Sequence, residues 1–499
     1  MSQLQKLAGH TVIYGASSIL GRMLNYLLVP YYTKVFDTAE YGIVTEFYAY
    51  AAFFNVIYTY GLETAYFRYA SINRNNEASI YSTATSSIFI TSIGLSVCLS
   101  LFATPIVTLL QYPGKEYYVY WLSAIFALDA IVAIPFAKLR IENKAKLFAI
   151  ARLVNIMVNI GLNLFFISFC SSVFKGDYLP TLKPWIEKIY NPGFGVEYVF
   201  LSNLIANALF LILLWRPLSQ LRLRIKWHLL KPMLRYGYPI LFTGLAYATN
   251  EMLSRGALKY WLTPNVYSGF TNMEVLGIFG AVYKLSIFMT LGIQAFRYAA
   301  EPFFFSQAGN KQSPQLFSKV MHWFIVFGCF IFLAISLNLD ILKYLLRNPD
   351  YRMGIDVVPM LLMANLFYGI YYNLSVWYKL TDKTYYGTWI TIVGAITTIT
   401  LNYLVIPVYG FHGSAFVTLI SFALMTVISY LAGKRHYPIP YKTLSGLGYI
   451  TVTSIIAYLL LTIQIENFVL SKTLHFIVII SFALVVLRLE KDNLPAKTT

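Results

Sequence analysis

Hydrophobic residues occur along this chain in long runs that are separated by short polar connections. About fourteen such runs are present, and most of them are long enough to cross a bilayer. Because backbone polar groups inside a bilayer must be satisfied within the segment itself, each run predicts an α-helix. The predicted spans are His10–Val35, Tyr41–Tyr66, Ile80–Leu110, Tyr117–Ala137, Leu147–Cys170, Val196–Trp215, Met233–Leu262, Val275–Ala299, Leu316–Leu337, Gly354–Tyr378, Tyr385–Pro407, Gly410–Ala432, Thr443–Ile463 and Thr473–Leu487.

The connections between the spans leave no room for a soluble domain. The longest polar stretch covers residues 171–195, contains Pro180, Pro184 and Pro192, and predicts a short interfacial segment. The fold class expected from this pattern is an all-α polytopic membrane protein with about fourteen transmembrane helices. Recognition and chemistry must then take place within the helix bundle or at its faces.

The composition supports this fold class and excludes several others. Charged residues make up 12% of the chain and hydrophobic residues 58%, whereas soluble domains carry roughly 25% charged residues. The cysteines Cys98, Cys170 and Cys329 show neither metal-ligand spacing nor a disulfide framework. We therefore expect no metal site, no bound cofactor and no nucleic-acid partner, the basic charge being explained by membrane topology.

The distribution of charge predicts the orientation of the chain in the membrane. If the amino terminus is cytoplasmic and the connections alternate, the inner side carries 24 Lys and Arg against 6 Asp and Glu. The outer side carries 10 against 11. Because basic loops stay on the cytoplasmic side, both termini are predicted to be cytoplasmic.

Two similar halves are indicated by the basic connections and by weak internal repetition. The most basic connection carries Arg216, Arg222, Arg224, Lys226, Lys231 and Arg235. Tyr14-Gly15 resembles Tyr236-Gly237, and Glu40-Tyr41-Gly42-Ile43 resembles Glu274-Val275-Leu276-Gly277-Ile278. We predict an N-lobe of six helices in residues 1–220, a C-lobe of six helices in residues 221–435, and two additional helices with a cytoplasmic tail in residues 436–499.

Cations inside the predicted spans are candidates for binding an anion. Each charge at the bilayer centre costs roughly 2.5–3.5 kcal/mol, so such groups face one another or a wet cavity. The predicted cavity cations are Arg22, Lys284, Arg255 and Arg152. Arg22 and Lys284 are the strongest candidates, since Arg22 has no acid three or four residues away on its own helix and Lys284 is similarly alone.

Acidic residues in the spans are candidates for ion coupling or for structural ion pairs. Glu251 and Arg255 are four residues apart and lie on one helix face, where a closed ion pair and a functional role are both open. The remaining candidates of this class are Asp129, Glu63, Arg68 and Glu46. No cluster of histidines indicates catalysis, and we predict no catalytic residue.

Five segments of the chain are similar to those of a known family: FDTAEYGIVTEF (36–47), GLETAYFRYA (61–70), RYGYPILFTGLAYATNEMLSRGAL (235–258), VLGIFGAVYKLSIF (275–288) and GFHGSAFVTLISFALM (410–425). In their order and spacing they resemble the polysaccharide-repeat flippases (Wzx-type) of the multidrug/oligosaccharidyl-lipid/polysaccharide exporter superfamily. In one departure from the family, Ser254 precedes Arg255 where family members often have an acid. The resemblance therefore assigns no adjacent acid–base pair at that point.

The resemblance implies fourteen helices, with two six-helix lobes around a central cavity, and transport by alternating access. The implied cargo is an undecaprenyl-diphosphate-linked oligosaccharide that is flipped from the cytoplasmic to the outer leaflet of the bacterial inner membrane. O-antigen, capsule and exopolysaccharide biosynthesis are the implied pathways, with membrane lipid, a polymerase and chain-length proteins as partners. Coupling to H⁺ or Na⁺ through Asp129 or Glu251 is a hypothesis.

Three alternatives follow from the same features. A flippase for the peptidoglycan lipid precursor is one, and a cation-coupled multidrug antiporter of the same superfamily is another. The antiporters usually have twelve helices and bind cations through acids. The two additional helices predicted here argue against an antiporter, and so do the cations Arg22 and Lys284. A membrane polymerase or ligase generally has a long outer loop, and the short outer connections here argue against an enzyme.

Overall fold

The apolar runs of the sequence form helices in the computed structural model, which describes residues 15, 19–307, 312–463 and 467–490. These residues contain no β-strand. Within them, eight helical segments are long and apolar enough to cross a membrane, or nine if one bent pair is a single span. The prediction of an all-α polytopic membrane protein is confirmed, and the number fourteen stays a prediction.

The residues up to Met252 form one compact unit. Its helices are α1 (Leu28–Val35), α2 (Thr38–Thr59), α3 (Leu62–Ile72), α4 (Glu77–Leu101), α5 (Ala103–Leu109), α6 (Tyr117–Ile141), α7 (Ala145–Asn163), α8 (Ser171–Lys175), α9 (Lys183–Ile186), α10 (Glu197–Leu213), α11 (Trp215–Ser219) and α12 (Trp227–Gly256). Helix α6 is central and packs against α2, α3, α4 and α10, while α7 packs against α10. Residues 19–26, before α1, are also helical.

The residues from Leu253 onward form a second compact unit, so the division falls inside α12. Its helices are α13 (Leu258–Trp261), α14 (Asn272–Lys284), α15 (Ile287–Ser306), α16 (Ser313–Ser336), α17 (Leu339–Leu342), α18 (Val358–Leu374), α19 (Val376–Leu380), α20 (Tyr385–His436), α21 (Thr443–Thr462) and α22 (Phe468–Leu489). Helix α18 packs against α16 and α20, and α16 also packs against α21 and α22. The lobe boundaries at residues 220 and 435 stay predictions.

The internal repeat has a local structural basis, because α2 and α14 both begin with a capping box. The Asp37 carboxylate accepts from the backbone N–H of Glu40 at 2.7 Å, and the Glu40 carboxylate accepts from the N–H of Asp37 at 3.2 Å. Thr271 and Glu274 make the same reciprocal pair at 3.3 and 2.6 Å. Each box satisfies two backbone donors that a helix start leaves without intrahelical partners.

The second predicted span, Tyr41–Tyr66, is divided rather than continuous. Tyr60 and Gly61 both adopt left-handed backbone conformations, with φ of 35° and 73°, and they separate α2 from α3. A Cβ at position 61 would lie 2.5 Å from the carbonyl oxygen of Gly237 in α12. Glycine at position 61 therefore meets two requirements, a positive φ and a close backbone approach.

A second break lies between the eleventh and twelfth predicted spans. The helical segment Tyr385–His436 has 52 residues, which would extend about 78 Å if straight, far beyond a hydrocarbon core of about 30 Å. Gly410 interrupts it with a φ of 53° and a ψ of −131°. The ring of Tyr267 stacks on Phe411 at 4.5 Å and fills the space where a Cβ of residue 410 would lie.

The hydroxyl of Tyr267 also ties its loop to this break. It donates to the carbonyl oxygen of Tyr409 at 3.1 Å and lies 3.0 Å from Nδ1 of His412. Burial raises the pKa of Tyr267 to about 12. The hydroxyl therefore keeps its proton, and this contact with Tyr409, at neutral pH.

Candidate functional site

A polar cavity of about 490 Å³ lies in the first unit, within an otherwise apolar helix bundle. Five of its lining residues are charged: Glu63, Asp129, Arg140, Arg152 and Glu251. The full lining is Ala52, Asn55, Val56 and Thr59 of α2, Glu63 of α3, Asp129, Val132, Ala133, Phe136 and Arg140 of α6, Phe148 and Arg152 of α7, and Tyr247, Ala248, Glu251 and Met252 of α12. Charges deep in a bundle of this kind mark a functional site by default.

Helical periodicity places these side chains on single faces. The lining residues of α6 occur at positions i, i+3, i+4, i+7 and i+11, beginning at Asp129 and ending at Arg140. The residues from Ala52 to Glu63 repeat the same spacing across the break between α2 and α3. Eleven residues are close to three helical turns, so Asp129 and Arg140 share a face and lie about 16 Å apart along α6.

An aromatic floor supports Arg152 in the cavity. Its guanidinium lies 4.3 Å from the ring centroid of Phe136, 5.8 Å from Phe148 and 5.7 Å from Phe210. The Phe136 ring packs edge-on against the other two rings at 5.2 Å, inside the main apolar cluster of this region. Stacking uses the face of the guanidinium, whereas its N–H donors lie at the edge, where a phosphate or carboxylate binds.

Asp129 is held by a chain of amide side chains. The Asn207 amide donates to the Asp129 carboxylate at 3.0 Å, and its oxygen accepts from Asn155 at 3.1 Å. Asn155 also donates to the carbonyl oxygen of Ala206 at 2.7 Å. The chain links α6, α7 and α10, so the carboxylate is oriented by the packing of three helices.

The carboxyl-terminal end of α6 carries a charged network. Arg140 forms an ion pair with Glu63, and the two side chains are 38% and 39% exposed. Lys138 is buried, with its ammonium 4.2 Å from the ring centroid of Tyr81 and 2.5 Å from the amide oxygen of Gln220. These contacts join α3, α4 and the end of α11 to one end of the cavity.

The opposite ends of α2, α6 and α10 are filled by aromatic and acidic side chains. Glu197, at the start of α10, accepts from Lys115 at 2.9 Å, from Tyr118 at 2.8 Å and from Tyr117 at 3.0 Å. The Phe47 ring packs against Tyr118 at 4.8 Å. The cavity therefore extends from the middle of the bundle toward Glu63 and Arg140, and not toward Glu197.

Residues 7–308, more than half of the chain, match the profile of a protein family described as "Polysaccharide biosynthesis protein". The chain belongs to this family. No curated protein sequence matches it at a significant level. The resemblance indicated by the sequence segments is confirmed.

Solved structures agree on the fold of this chain. The lipid II flippase MurJ, in an inward closed conformation, has a TM-score of 0.66 at 13% identity, covering 96% of this chain and 99% of its own. An inward-facing multidrug resistance MATE family transporter of the MOP superfamily has a TM-score of 0.60 at 12% identity, covering 85% and 94%. A MATE transporter of Vibrio cholerae has a TM-score of 0.58 at 12% identity, covering 87% and 96%. At these identities the similarity shows the fold alone, which is that of MOP superfamily transporters.

The four predicted cavity cations lie in different places. Of these four cations, Arg152 lines the first-unit cavity. Arg22 is exposed in the helical stretch 19–26, next to Gly21, whose Cβ position would lie 2.6 Å from the side chain of Ile156. Arg255 and Lys284 belong to the second unit. Arg255 is buried with its guanidinium 4.1 Å from the ring of Tyr283, and Lys284 is exposed at the end of α14, where a bend of 47° leads into α15.

The predicted coupling residues also lie in different places, some in the cavity lining and others elsewhere. Asp129, Glu63 and Glu251 line the cavity. Glu46 is fully buried elsewhere and accepts from the hydroxyls of Tyr50 and Tyr112, each at 2.6 Å. Arg68 is exposed, and its guanidinium lies 4.5 Å from the ring of Tyr236 at the start of α12. The Glu251–Arg255 ion pair stays a prediction.

Sequence reasoning missed Arg140, Asn55 and Asn207. The predicted span ends at Ala137 and leaves Arg140 in a cytoplasmic connection, whereas α6 continues to Ile141. The spacing of eleven residues from Asp129 is the signal that would have placed Arg140 on the same face. Asn55 follows the same periodicity on α2, but Asn207 depends on the packing of α10 and had no sequence signal.

Proposed function

We propose that this protein is a flippase that moves an undecaprenyl-diphosphate-linked oligosaccharide from the cytoplasmic to the outer leaflet of the inner membrane by alternating access. The observation that carries this proposal is Arg152, held on an aromatic floor inside a polar cavity of a bundle with the MOP fold. The family assignment to polysaccharide biosynthesis supports the class of cargo. The protein itself performs transport and no bond-making chemistry.

The physical difficulty of the reaction is the transfer of a charged headgroup through hydrocarbon. Removing an ionised group from water without replacement contacts is very costly. The edge of the Arg152 guanidinium supplies donors in the geometry that phosphate oxygens bind. Asn55, Thr59 and Tyr247 add amide and hydroxyl groups to the lining, which suit the hydroxyls of a sugar.

The direction of transport is supported by the asymmetry of the cavity. It extends toward Glu63 and Arg140. The charge distribution predicts that this side of the bundle is cytoplasmic. The other ends are filled by the cluster around Glu197 and Phe47. This arrangement favours loading from the cytoplasmic leaflet, and cytoplasmic termini and a bacterial inner-membrane location are part of the proposal.

Two alternative cargos are each favoured by one observation. The cavity holds three carboxylates against two guanidiniums, which favours a cationic cargo and thus a multidrug antiporter. The similarity to MurJ over 96% of this chain favours a peptidoglycan lipid precursor. Loss of resistance to cationic dyes on deletion would support the first alternative, and complementation of a strain lacking its lipid-precursor flippase would support the second.

Deletion of the protein tests the proposed cargo directly. We expect lipid-linked repeat units to accumulate on the cytoplasmic leaflet, where membrane-impermeant periodate or a sugar-binding probe cannot reach them in intact spheroplasts. Reintroducing the wild-type chain should restore labelling and allow the polymerase and chain-length proteins of the pathway to act. Unchanged labelling in the deletion strain would refute the proposal.

Ion coupling is proposed at Asp129 or Glu251, two carboxylates that line the cavity. If H⁺ is the coupling ion, transport into inverted vesicles should fall when the pH gradient is collapsed. If Na⁺ is the coupling ion, it should fall when the sodium gradient is collapsed. An unchanged rate after both gradients are removed would rule out coupling to these ions.

Glu63→Gln is expected to have a small effect on both stability and export. The ion pair with Arg140 is more than a third exposed on both sides, and such pairs contribute about 0–1 kcal/mol, or at most about fivefold in an equilibrium. Thermal unfolding in detergent and export in the complemented deletion strain measure the two effects. Glu142→Gln is the matched control, since Glu142 pairs with Lys144 at 2.6 Å and does not line the cavity. A folded Glu63→Gln protein without export would instead make Glu63 a coupling group.

A further inference from the structure

The second unit contains a separate cavity of about 310 Å³ between α16, α18, α20 and α21. Its walls are mainly apolar and include Met321, Ile325, Ile370, Leu447 and Ile450. The volume lies at the lower end of the roughly 300–1,000 Å³ found for ligand sites. It shares no lining residue with the cavity proposed to hold the cargo.

One end of this cavity carries buried polar atoms that the described structure does not satisfy. The hydroxyl of Tyr441 and Nδ1 of His322 are buried and have no hydrogen-bond partner among the residues described. His322 is 4% exposed, and its other ring nitrogen, Nε2, lies 2.8 Å from the carboxylate of Glu490. Native proteins rarely leave such atoms without partners, and a ligand with polar groups in this cavity would supply them.

The same end of the cavity is basic. Lys442 lines it, immediately after Tyr441, in the connection that links α20 to α21. Lys434 and Arg435 lie in the last turn of α20, just before this connection. The charge distribution assigns the connection to the cytoplasmic side, where basic pockets between transmembrane helices bind anionic lipid headgroups.

The lining therefore separates into an apolar part and a polar, basic end, which matches the two parts of a phospholipid. Val427 and Leu447 line the cavity and are about half exposed, at 51% and 55%. They belong to α20 and α21 and face away from the core, so an acyl chain has a route into the cavity from the bilayer. A soluble ligand would have to cross hydrocarbon to use this route.

We propose that this cavity binds one anionic glycerophospholipid of the cytoplasmic leaflet as a resident lipid. Its acyl chain packs against Met321, Ile325 and Ile450, and its phosphate accepts hydrogen bonds from Tyr441 and Lys442. In the neutral tautomer that donates from Nε2 to Glu490, Nδ1 of His322 is an acceptor. A headgroup hydroxyl satisfies that atom, which makes phosphatidylglycerol the preferred occupant.

Native mass spectrometry of the full chain in detergent tests this binding. Phosphatidylglycerol and phosphatidylcholine with identical acyl chains are the two probes. We expect one tightly bound phosphatidylglycerol, with an affinity about tenfold above that of phosphatidylcholine. Both lipids have the phosphate, but only phosphatidylglycerol has a net negative charge and the headgroup hydroxyl that donates to Nδ1 of His322. Equal affinities for the two lipids would overturn the proposal.

Tyr441→Phe is the most specific test, because it removes a hydroxyl that has no hydrogen-bond partner among the residues described. We expect phosphatidylglycerol to bind about fivefold to tenfold more weakly, without a lower unfolding temperature of the delipidated protein. Tyr437→Phe, four residues earlier and outside the lining, is the matched control. An unchanged affinity of the Tyr441→Phe protein would show that the hydroxyl is no lipid ligand and would overturn the proposal.

Two further variants separate the headgroup from the acyl chain. Lys442→Gln should weaken phosphatidylglycerol about tenfold and phosphatidylcholine less, because the choline ammonium already offsets the attraction between Lys442 and the phosphate. Lys383→Gln is a basic control from another connection. Val427→Trp should exclude both lipids by closing the route for the acyl chain. One-for-one displacement of phosphatidylglycerol by undecaprenyl phosphate would assign the cavity to the cargo lipid and overturn the proposal of a resident phospholipid.

Discussion

Arg152→Ala is expected to lower the initial rate of export roughly 10-fold to 150-fold at subsaturating cargo. Arg152 is exposed, and a hydrogen bond to a charged group contributes about 1.5–3 kcal/mol, which corresponds to roughly that range. Arg152→Lys should recover only part of the rate, because lysine keeps the charge but loses the planar fork of donors and the stacking on Phe136. The measurement is translocation of lipid-linked oligosaccharide in proteoliposomes that contain equal amounts of each folded protein.

Lys146→Ala is the matched control for this experiment. Lys146 is an exposed cation in the first turn of the same helix, α7, and does not line the cavity. Its loss changes the net charge by the same amount and should leave the rate within about twofold, as for a surface charge. If Arg152→Ala and Lys146→Ala export equally well, Arg152 does not contact the headgroup, and the site proposed in the first unit is wrong.

The same experiment distinguishes the anionic cargo from a cationic one. A cation held by Asp129, Glu63 and Glu251 would be repelled by Arg152, so Arg152→Ala should then improve its binding. A diphosphate should respond in the opposite direction. The sign of the effect, and not only its size, therefore decides between a flippase and an antiporter.

The membrane class and the set of cavity acids could be predicted from the sequence because both follow from the cost of burial. A charge in an apolar span is expensive unless it meets a partner or water. Asp129, Glu63, Glu251 and Arg152 were selected on this ground, and the structure brings all four to one cavity. The reasoning needed only the position of each charge along its span.

The contact partners of the other charged residues could not be predicted in this way. Glu46 was selected by the same rule, but its partners are tyrosine hydroxyls of α2 and of the connection before α6. Tyr112 is 66 residues away from Glu46 in sequence, and nothing in a single chain marks two such residues as neighbours. Arg68 and Arg255 contact the aromatic rings of Tyr236 and Tyr283, and the position of a charge along its span does not predict such contacts.

Breaks within spans were also invisible to hydropathy. Tyr60 and Gly61 lie in a run that remains apolar on both sides, so a continuous helix was the simplest expectation. The break moves Glu63 into a new helix, α3, where it meets Arg140. Local backbone conformation, which average hydropathy does not report, therefore sets the geometry at this end of the cavity.

Gly61→Ala is accordingly expected to destabilise the protein by about 2–5 kcal/mol. A non-glycine residue in the left-handed region costs roughly 1–2 kcal/mol, and φ at position 61 is 73°. The added Cβ would also lie 2.5 Å from the carbonyl oxygen of Gly237, a backbone atom that cannot rotate away, so overpacking adds about 1–3 kcal/mol. Thermal unfolding in detergent measures the loss.

Gly94→Ala is the control that separates this local effect from the general effect of adding a methyl group. Gly94 lies in the middle of α4, and a Cβ there would meet nothing within 4 Å. Alanine is the better helix former, so this variant should be as stable as the wild type or more stable by up to about 1 kcal/mol. Because the break also positions Glu63 beside Arg140, Gly61→Ala should lower export more than Glu63→Gln does. Equal unfolding temperatures for Gly61→Ala and Gly94→Ala would show that α3 and α12 separate without cost, and that the close approach at Gly237 does not hold the cavity in shape.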